Sequence, residues 1–254
     1  MLRRFLILSL LIVGSAVSAE APPTAAIALH EVTVEVAGRG LRISLLVFTA
    51  RDFRIQVVDN AATNDQARFQ TVEEAMVSLG GVAGCNGGFF ERKPFTPVGF
   101  MVSGGQRSGR FDPDSWMKGL LVVRGTAASL ESTTSFTYSP DVTELIQSGP
   151  WLVRFRQAED DNSRTQPARR TFICHDGRGT WAIGASERCT LLELARALKR
   201  AEVTAVLDIH SALNLDGGPS TGLWLRGTTG NFYLPERWPV RNYIGIYPAS
   251  SSSP

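Results

Sequence analysis

From His30 onward, apolar and polar residues alternate. Val32, Val34 and Val36 fall on one face, and Leu41, Ile43, Leu45 and Val47 repeat the period. Gly38-Arg39-Gly40 separates the two runs, so the pattern predicts a β-hairpin. Phe53, Ile55 and Val57 continue the strand habit. Thr71 with Glu74 three residues later is a capping-box signature, predicting a helix through Leu79 that Gly80-Gly81 stops. Residues 98–102, 120–123 and the stretch opening at Trp151 read as further strands. Residues 141–146 read as one short helix stopped by Gly149-Pro150, and 157–167 as a polar surface loop.

Asp176-Gly177, set between the apolar stretches 171–174 and 180–183, is a strong hairpin signal, because Asp-Gly supplies the positive φ such turns require. Thr190 and Glu193 then cap a helix whose stripe is Leu191, Leu194, Ala195 and Leu198, ending near Arg200. A strand over 201–209 is expected to lead through Asn214 into Asp216-Gly217-Gly218, and strands at 223–225 and 243–246 close the pattern. No repeat or linker interrupts it. The expected class is α+β: a single domain with a largely antiparallel or mixed sheet and a few packed helices. Its expected limits are 30–248, after a flexible lead-in at 20–29 and before a polar tail at 249–254.

The N-terminus changes the picture. Arg3 and Arg4 precede an apolar run over 5–13, and Val17-Ser18-Ala19 offers small residues where a signal peptidase cuts. That run is shorter than the roughly 20 residues a spanning helix needs. Export to the periplasm or beyond, cleavage after Ala19 and no stable membrane span are therefore expected. An uncleaved anchor is the alternative. Without Arg3 and Arg4 the formal charge of +2 falls to zero, so the basic footprint of a nucleic-acid partner is missing.

Three cysteines, Cys85, Cys174 and Cys189, allow one bridge and one thiol in an oxidising compartment. Cys174 with Cys189 is the preferred pair, and burial of all three as thiols is the alternative. His30, His175 and His210 are scattered and no metal-type cysteine spacing exists. No zinc site and no cofactor are expected, with a divalent ion left open.

Two places end an apolar run with a polar side chain and two glycines: Asn86-Gly87-Gly88 and Asn214-Leu215-Asp216-Gly217-Gly218. Paired glycines permit positive φ and let a ligand approach backbone N–H groups. Each motif alone is also what a plain tight turn contains. Arg169-Arg170-Thr171 adds a guanidinium matched to phosphate or carboxylate oxygens.

Order and context join these features. Asn86-Gly87-Gly88-Phe89-Phe90 followed by Pro97-Val98-Gly99-Phe100, then Gly149-Pro150-Trp151, Arg170-Thr171, Leu191-Leu192-Glu193-Leu194-Ala195 and Asn214-Leu215-Asp216-Gly217-Gly218 resemble successive blocks of the phosphodiester glycosidases. That family includes a lysosomal enzyme that uncovers mannose 6-phosphate. The resemblance spans roughly residues 82–225. One departure is Pro219-Ser220-Thr221, where the family continues with a third glycine and two serines.

The resemblance implies cleavage of a sugar-1-phosphodiester on an envelope or extracellular glycan. Expelling a phosphate monoester needs little general-acid help, which relaxes the usual demand for two carboxylates. Asp216, Arg170 and Asn86 are then the expected catalytic residues. Gly87, Gly88, Thr171, Asn214, Gly217, Gly218 and Ser220 are the expected substrate contacts. The alternatives are a non-catalytic envelope protein that binds polysaccharide and, last, a hydrolase using Cys85 as nucleophile.

Overall fold

A computed structural model describes residues 26–62, 66–160 and 166–249. The signal segment, the start of the lead-in and most of the polar tail lie outside the described residues. Along the chain run β1 (Ala28–Val36), β2 (Arg39–Thr49), β3 (Phe53–Asp59), α1 (Val72–Leu79), β4 (Ala83–Asn86), β5 (Phe90–Arg92), β6 (Phe95–Pro97) and β7 (Phe100–Ser103). Then come β8 (Gln106–Gly109), β9 (Gly119–Arg124), β10 (Ala127–Ser132), β11 (Val142–Ser148), β12 (Trp151–Arg154), β13 (Gln157–Ala158) and β14 (Ala168–His175). The chain continues with β15 (Thr180–Cys189), α2 (Leu191–Ala197), α3 (Ala201–Thr204), β16 (Ser211–Asn214), β17 (Leu223–Leu225), β18 (Phe232–Leu234) and β19 (Asn242–Pro248).

Among the described residues, three large antiparallel sheets and a two-stranded ribbon, β5-β6, make the fold. Seven strands run in the order β1-β2-β15-β14-β16-β12-β13, five in the order β10-β9-β11-β7-β8, and five in the order β18-β17-β4-β19-β3. The main core lies where they meet: Phe48, Ile173 and Ile183 of the first sheet pack with Leu121 and Ile146 of the second and Ile55, Leu223 and Ile244 of the third. The outer face of the seven-stranded sheet buries Phe172, Leu41 and Ile43 with Leu191, Leu194 and Leu198 of the α2 region. Met76 of α1 packs with Trp224 and Tyr243 on the outer face of the third sheet. Each fully buried side chain of this size contributes about 1.5–3 kcal/mol.

The expected α+β class is corrected to mostly β. Among the described residues strands take 50% against 10% for helix, in three short helices, too little helix to form a layer of its own. Residues 141–146 form most of β11: Glu144 is pulled inward to accept backbone N–H groups, and Leu145 and Ile146 pair with Val102 and Met101. The expected strand over 201–209 begins instead as α3, because 201–207 needs only Val203 and Leu207 inside, one helical turn apart.

Local signals elsewhere hold. Thr71 accepts from Glu74 N and Gly80 closes α1 with φ 76. Thr190 and Glu193 form a complete capping box on α2. The preferred Cys174–Cys189 bridge is absent: all three cysteines are free and buried. Cys174 pairs with Ala182 and Cys189 with Ala168, so the two sit at opposite ends of the β14–β15 hairpin. No helix among the described residues is long and apolar enough to cross a membrane.

Candidate active site

Asn86, the last residue of β4, is fully buried and joins three other segments. Its Nδ2 donates to the Asp216 carbonyl oxygen at 2.7 Å. Its Oδ1 accepts from Thr171 Oγ1 at 2.7 Å and from Gly222 N at 3.1 Å. One amide thus links β4 to β14, to the exit of β16 and to the approach of β17. A buried amide with its donor and acceptor both engaged fixes geometry, because any displacement strands polar groups away from water. Three expected site residues, far apart in sequence, are therefore in contact.

Asp216 is half-buried. Its Oδ1 accepts from Gly217 N at 2.8 Å, and the Ser220 hydroxyl bonds the carboxylate as well. Burial outweighs both bonds and pushes the carboxyl up to about 6. Gly217 is glycine for a steric reason: a Cβ there would lie 2.8 Å from the Arg169 carbonyl oxygen. Gly218 takes φ 62 and opens the single 3-10 turn over Gly218–Ser220. Pro219 offers no N–H, but its carbonyl accepts from Arg237 N at 2.8 Å, anchoring the segment that carries Glu236.

Gly87 and Gly88 act differently from a bare anion-binding turn. Gly87 N donates to the Asn242 carbonyl at 2.9 Å, and Gly88 N to Asn242 Oδ1 at 2.7 Å. A Cβ at Gly87 would collide with Asn242 Oδ1, and one at Gly88 would lie 2.7 Å from Ile146 Cγ2. These glycines let β4 leave its sheet tight against β11 and β19. Asn214 pairs with Phe172 in the β14–β16 ladder, so it lies on the α2 side, opposite Thr171. Its Nδ2 donates to Gly149 O at 2.8 Å.

The two arginines divide in the same way. Arg170 Nε donates to Cys189 O at 3.0 Å and Nη2 to Gln166 O at 2.5 Å, while its Cδ runs beside Gly217. Arg169 instead reaches the turn after Asp216: Nη2 donates to Thr221 O at 2.5 Å and Nη1 to Pro235 O at 3.0 Å. Burial and nearby Arg237 lower its pKa.

Two residues escaped the sequence reading. Glu236 is 8% exposed, accepts from Val72 N at 2.5 Å and from Tyr233 Oη at 3.1 Å, and would crowd any Cβ at Gly222. Burial, above all, raises its carboxyl. Asn242 holds both glycines of the first motif. Neither lies in an alternating or helical run, so no periodicity marks them.

The remaining candidates stand apart. His175 and His210 stack at 5.7 Å at the other end of β14, where burial and His210 lower His175 to about 4. The Cys85 thiol is raised far above its ordinary value by burial, a poor setting for a nucleophile. No group of three or more His, Cys, Asp or Glu among the described residues is placed to hold a metal ion.

The fold is similar to that of the catalytic domain of zebrafish N-acetylglucosamine-1-phosphodiester α-N-acetylglucosaminidase, auto-inhibited by its pro-peptide. The TM-score is 0.63 at 16% identity, over 90% of this chain and 85% of that one. A hypothetical protein from Synechocystis matches with a TM-score of 0.57 at 15% identity, over 87% of this chain and 62% of that one. No curated protein matches by sequence. Residues 79–247, well over half of the chain and spanning both glycine motifs, match the sequence model of the phosphodiester glycosidases. The chain belongs to the phosphodiester glycosidase family.

Proposed function

We propose that this chain is an exported phosphodiester α-glycosidase that cleaves a sugar-1-phosphodiester on an envelope or extracellular glycan. The observation that supports this reading is the bond from Asn86 Nδ2 to the Asp216 carbonyl, which ties the Asp216 turn to the same amide that Thr171 bonds. The name of the zebrafish enzyme, a hydrolase of N-acetylglucosamine-1-phosphodiesters, supplies the substrate class. Export rests on the N-terminal sequence alone.

In this mechanism Asp216 acts ionised. It supports the positive charge that develops at the anomeric carbon, by stabilising it, attacking it or activating water. Its carboxyl near 6 leaves it charged at neutral pH yet basic enough to accept a proton. Departure of the phosphate monoester calls for fixed positive charge rather than an acid. Arg169 is the better placed clamp, since it already reaches Thr221 on the Asp216 turn. The Arg170 side chain runs beside Gly217. Asn86 and Thr171 orient Asp216, and Gly87, Gly88 and Asn214 shape the walls that hold them.

The test incubates purified protein with sugar-1-phosphodiesters and follows free sugar, with Asp216→Asn and Arg169→Ala as controls. Turnover lost in both variants supports the reading. Glycan binding that survives both, with no turnover in any form, supports a polysaccharide-binding protein instead.

A further inference from the structure

A cavity of about 490 Å³ opens on the seven-stranded sheet. Its floor belongs to the same cross-strand row as the site. Glu31 pairs with Ser44, Ser44 with Ala185, and Ala185 with Thr171, the residue that bonds Asn86. Directly opposed residues in antiparallel strands point to one face. Glu31, Ser44 and Ala185 line the cavity, and Arg169 forms its wall toward the Asp216 turn. Two residues of β14 thus connect the cavity to the Asp216 turn: Arg169, which lines it and bonds Thr221 O, and Thr171, which bonds Asn86.

Its charge is one-sided. Arg39, Arg42, Arg169 and Arg188 line it against only Glu31 and Glu187. Arg39 is already tied to Glu193 at 3.2 Å, outside the lining. Arg42 meets Glu187 only at 3.9 Å with its side chain 63% exposed, and among the described residues the Arg188 guanidinium bonds Pro167 O. Guanidinium groups with donors to spare around one concave volume recognise phosphate or carboxylate oxygens. The volume suits one sugar-sized unit.

We infer that this cavity is a binding subsite for a second anionic group, phosphate or carboxylate, on the glycan unit next to the scissile phosphodiester. The identity of that glycan rests on the phosphodiester glycosidase reading; the anion subsite itself does not. The substrate is then a polyanionic glycan rather than an isolated diester.

Two arms test it on the full chain and on an Arg42→Ala/Arg188→Ala double variant. Both residues are exposed, so matching unfolding midpoints verify that the variant folds. The first arm measures calorimetric binding of glucose 6-phosphate, glucuronate and glucose at low and high salt. The expected result is binding of either charged sugar roughly tenfold tighter than glucose, lost with salt and in the variant. Whichever charged sugar binds better tells phosphate from carboxylate. Equal binding of all three, or no effect of the double substitution, overturns the subsite. The second arm compares hydrolysis of a methyl sugar-1-phosphodiester with one whose aglycone bears a phosphate. The variant is expected to raise KM for the charged substrate alone. If both substrates respond equally, the subsite fails while the glycosidase reading stands. If charged sugars bind as expected but neither diester is cleaved, the subsite stands and the glycosidase reading fails.

Discussion

Asn86 Nδ2 meets the carbonyl oxygen of Asp216 at 2.7 Å across 130 residues of chain. Replacing Asn86 by Ala leaves that carbonyl, the Thr171 hydroxyl and Gly222 N without their partner. Each buried orphan costs about 1–3 kcal/mol. Asn86→Ala is expected to lower unfolding stability by about 3 kcal/mol or more, measured by urea denaturation. Activity should fall further than stability, because the acid loses its position.

Gly88 and Gly218 are glycine for different reasons. Gly88→Ala puts a methyl group 2.7 Å from Ile146 Cγ2 in the packed junction of β4 and β11, and overpacking of this kind costs about 1–3 kcal/mol. Gly218 has nothing within 4 Å of a Cβ, only φ 62. Gly218→Ala should therefore cost about 1 kcal/mol of backbone strain. Thermal midpoints of the two variants decide: an equal drop contradicts the distinction.

Much of this was legible in the sequence, and the misses share a cause. The caps at Thr71 and Thr190 and the Asp176-Gly177 hairpin are local, and they form as read. Residues 141–146 look helical because Glu144 interrupts the alternation. That carboxylate is in fact drawn inward to accept from Val57 N and Gly104 N, a partner set visible only once distant strands meet. Gly87 and Gly88 look like a ligand-facing turn because the residues they admit, Asn242 and Ile146, lie far along the chain. Arg169 and Arg170 are adjacent, and only the register of β14 tells which one turns toward Thr221.

The proposed function makes Asp216 the group that sets the pH profile of the reaction. Its carboxyl is raised to about 6, chiefly by burial, and the ionised form is the reactive one. kcat/KM should rise as pH passes through about 6 and level off above it. A profile that is flat from pH 4.5 to 8 contradicts the assignment.

Glu144 sets a separate dependence of stability on pH. Burial raises it to about 7 from an ordinary 4.5. A raised carboxyl favours the folded state fully below the unfolded value, and that advantage is lost as pH climbs through the folded one. Glu144→Gln cannot ionise. Relative to wild type it should gain on the order of 2–3 kcal/mol between pH 4.5 and 8, read from unfolding curves at each pH. A constant difference across that range contradicts the prediction.

The most direct measurement is release of free sugar from a sugar-1-phosphodiester panel by the wild-type protein and by Asp216→Asn. The account predicts turnover by the wild type and a loss of roughly a hundredfold or more in kcat for Asp216→Asn, with little change in fold. A wild type inert on the whole panel, or an Asp216→Asn protein as active as wild type, contradicts it.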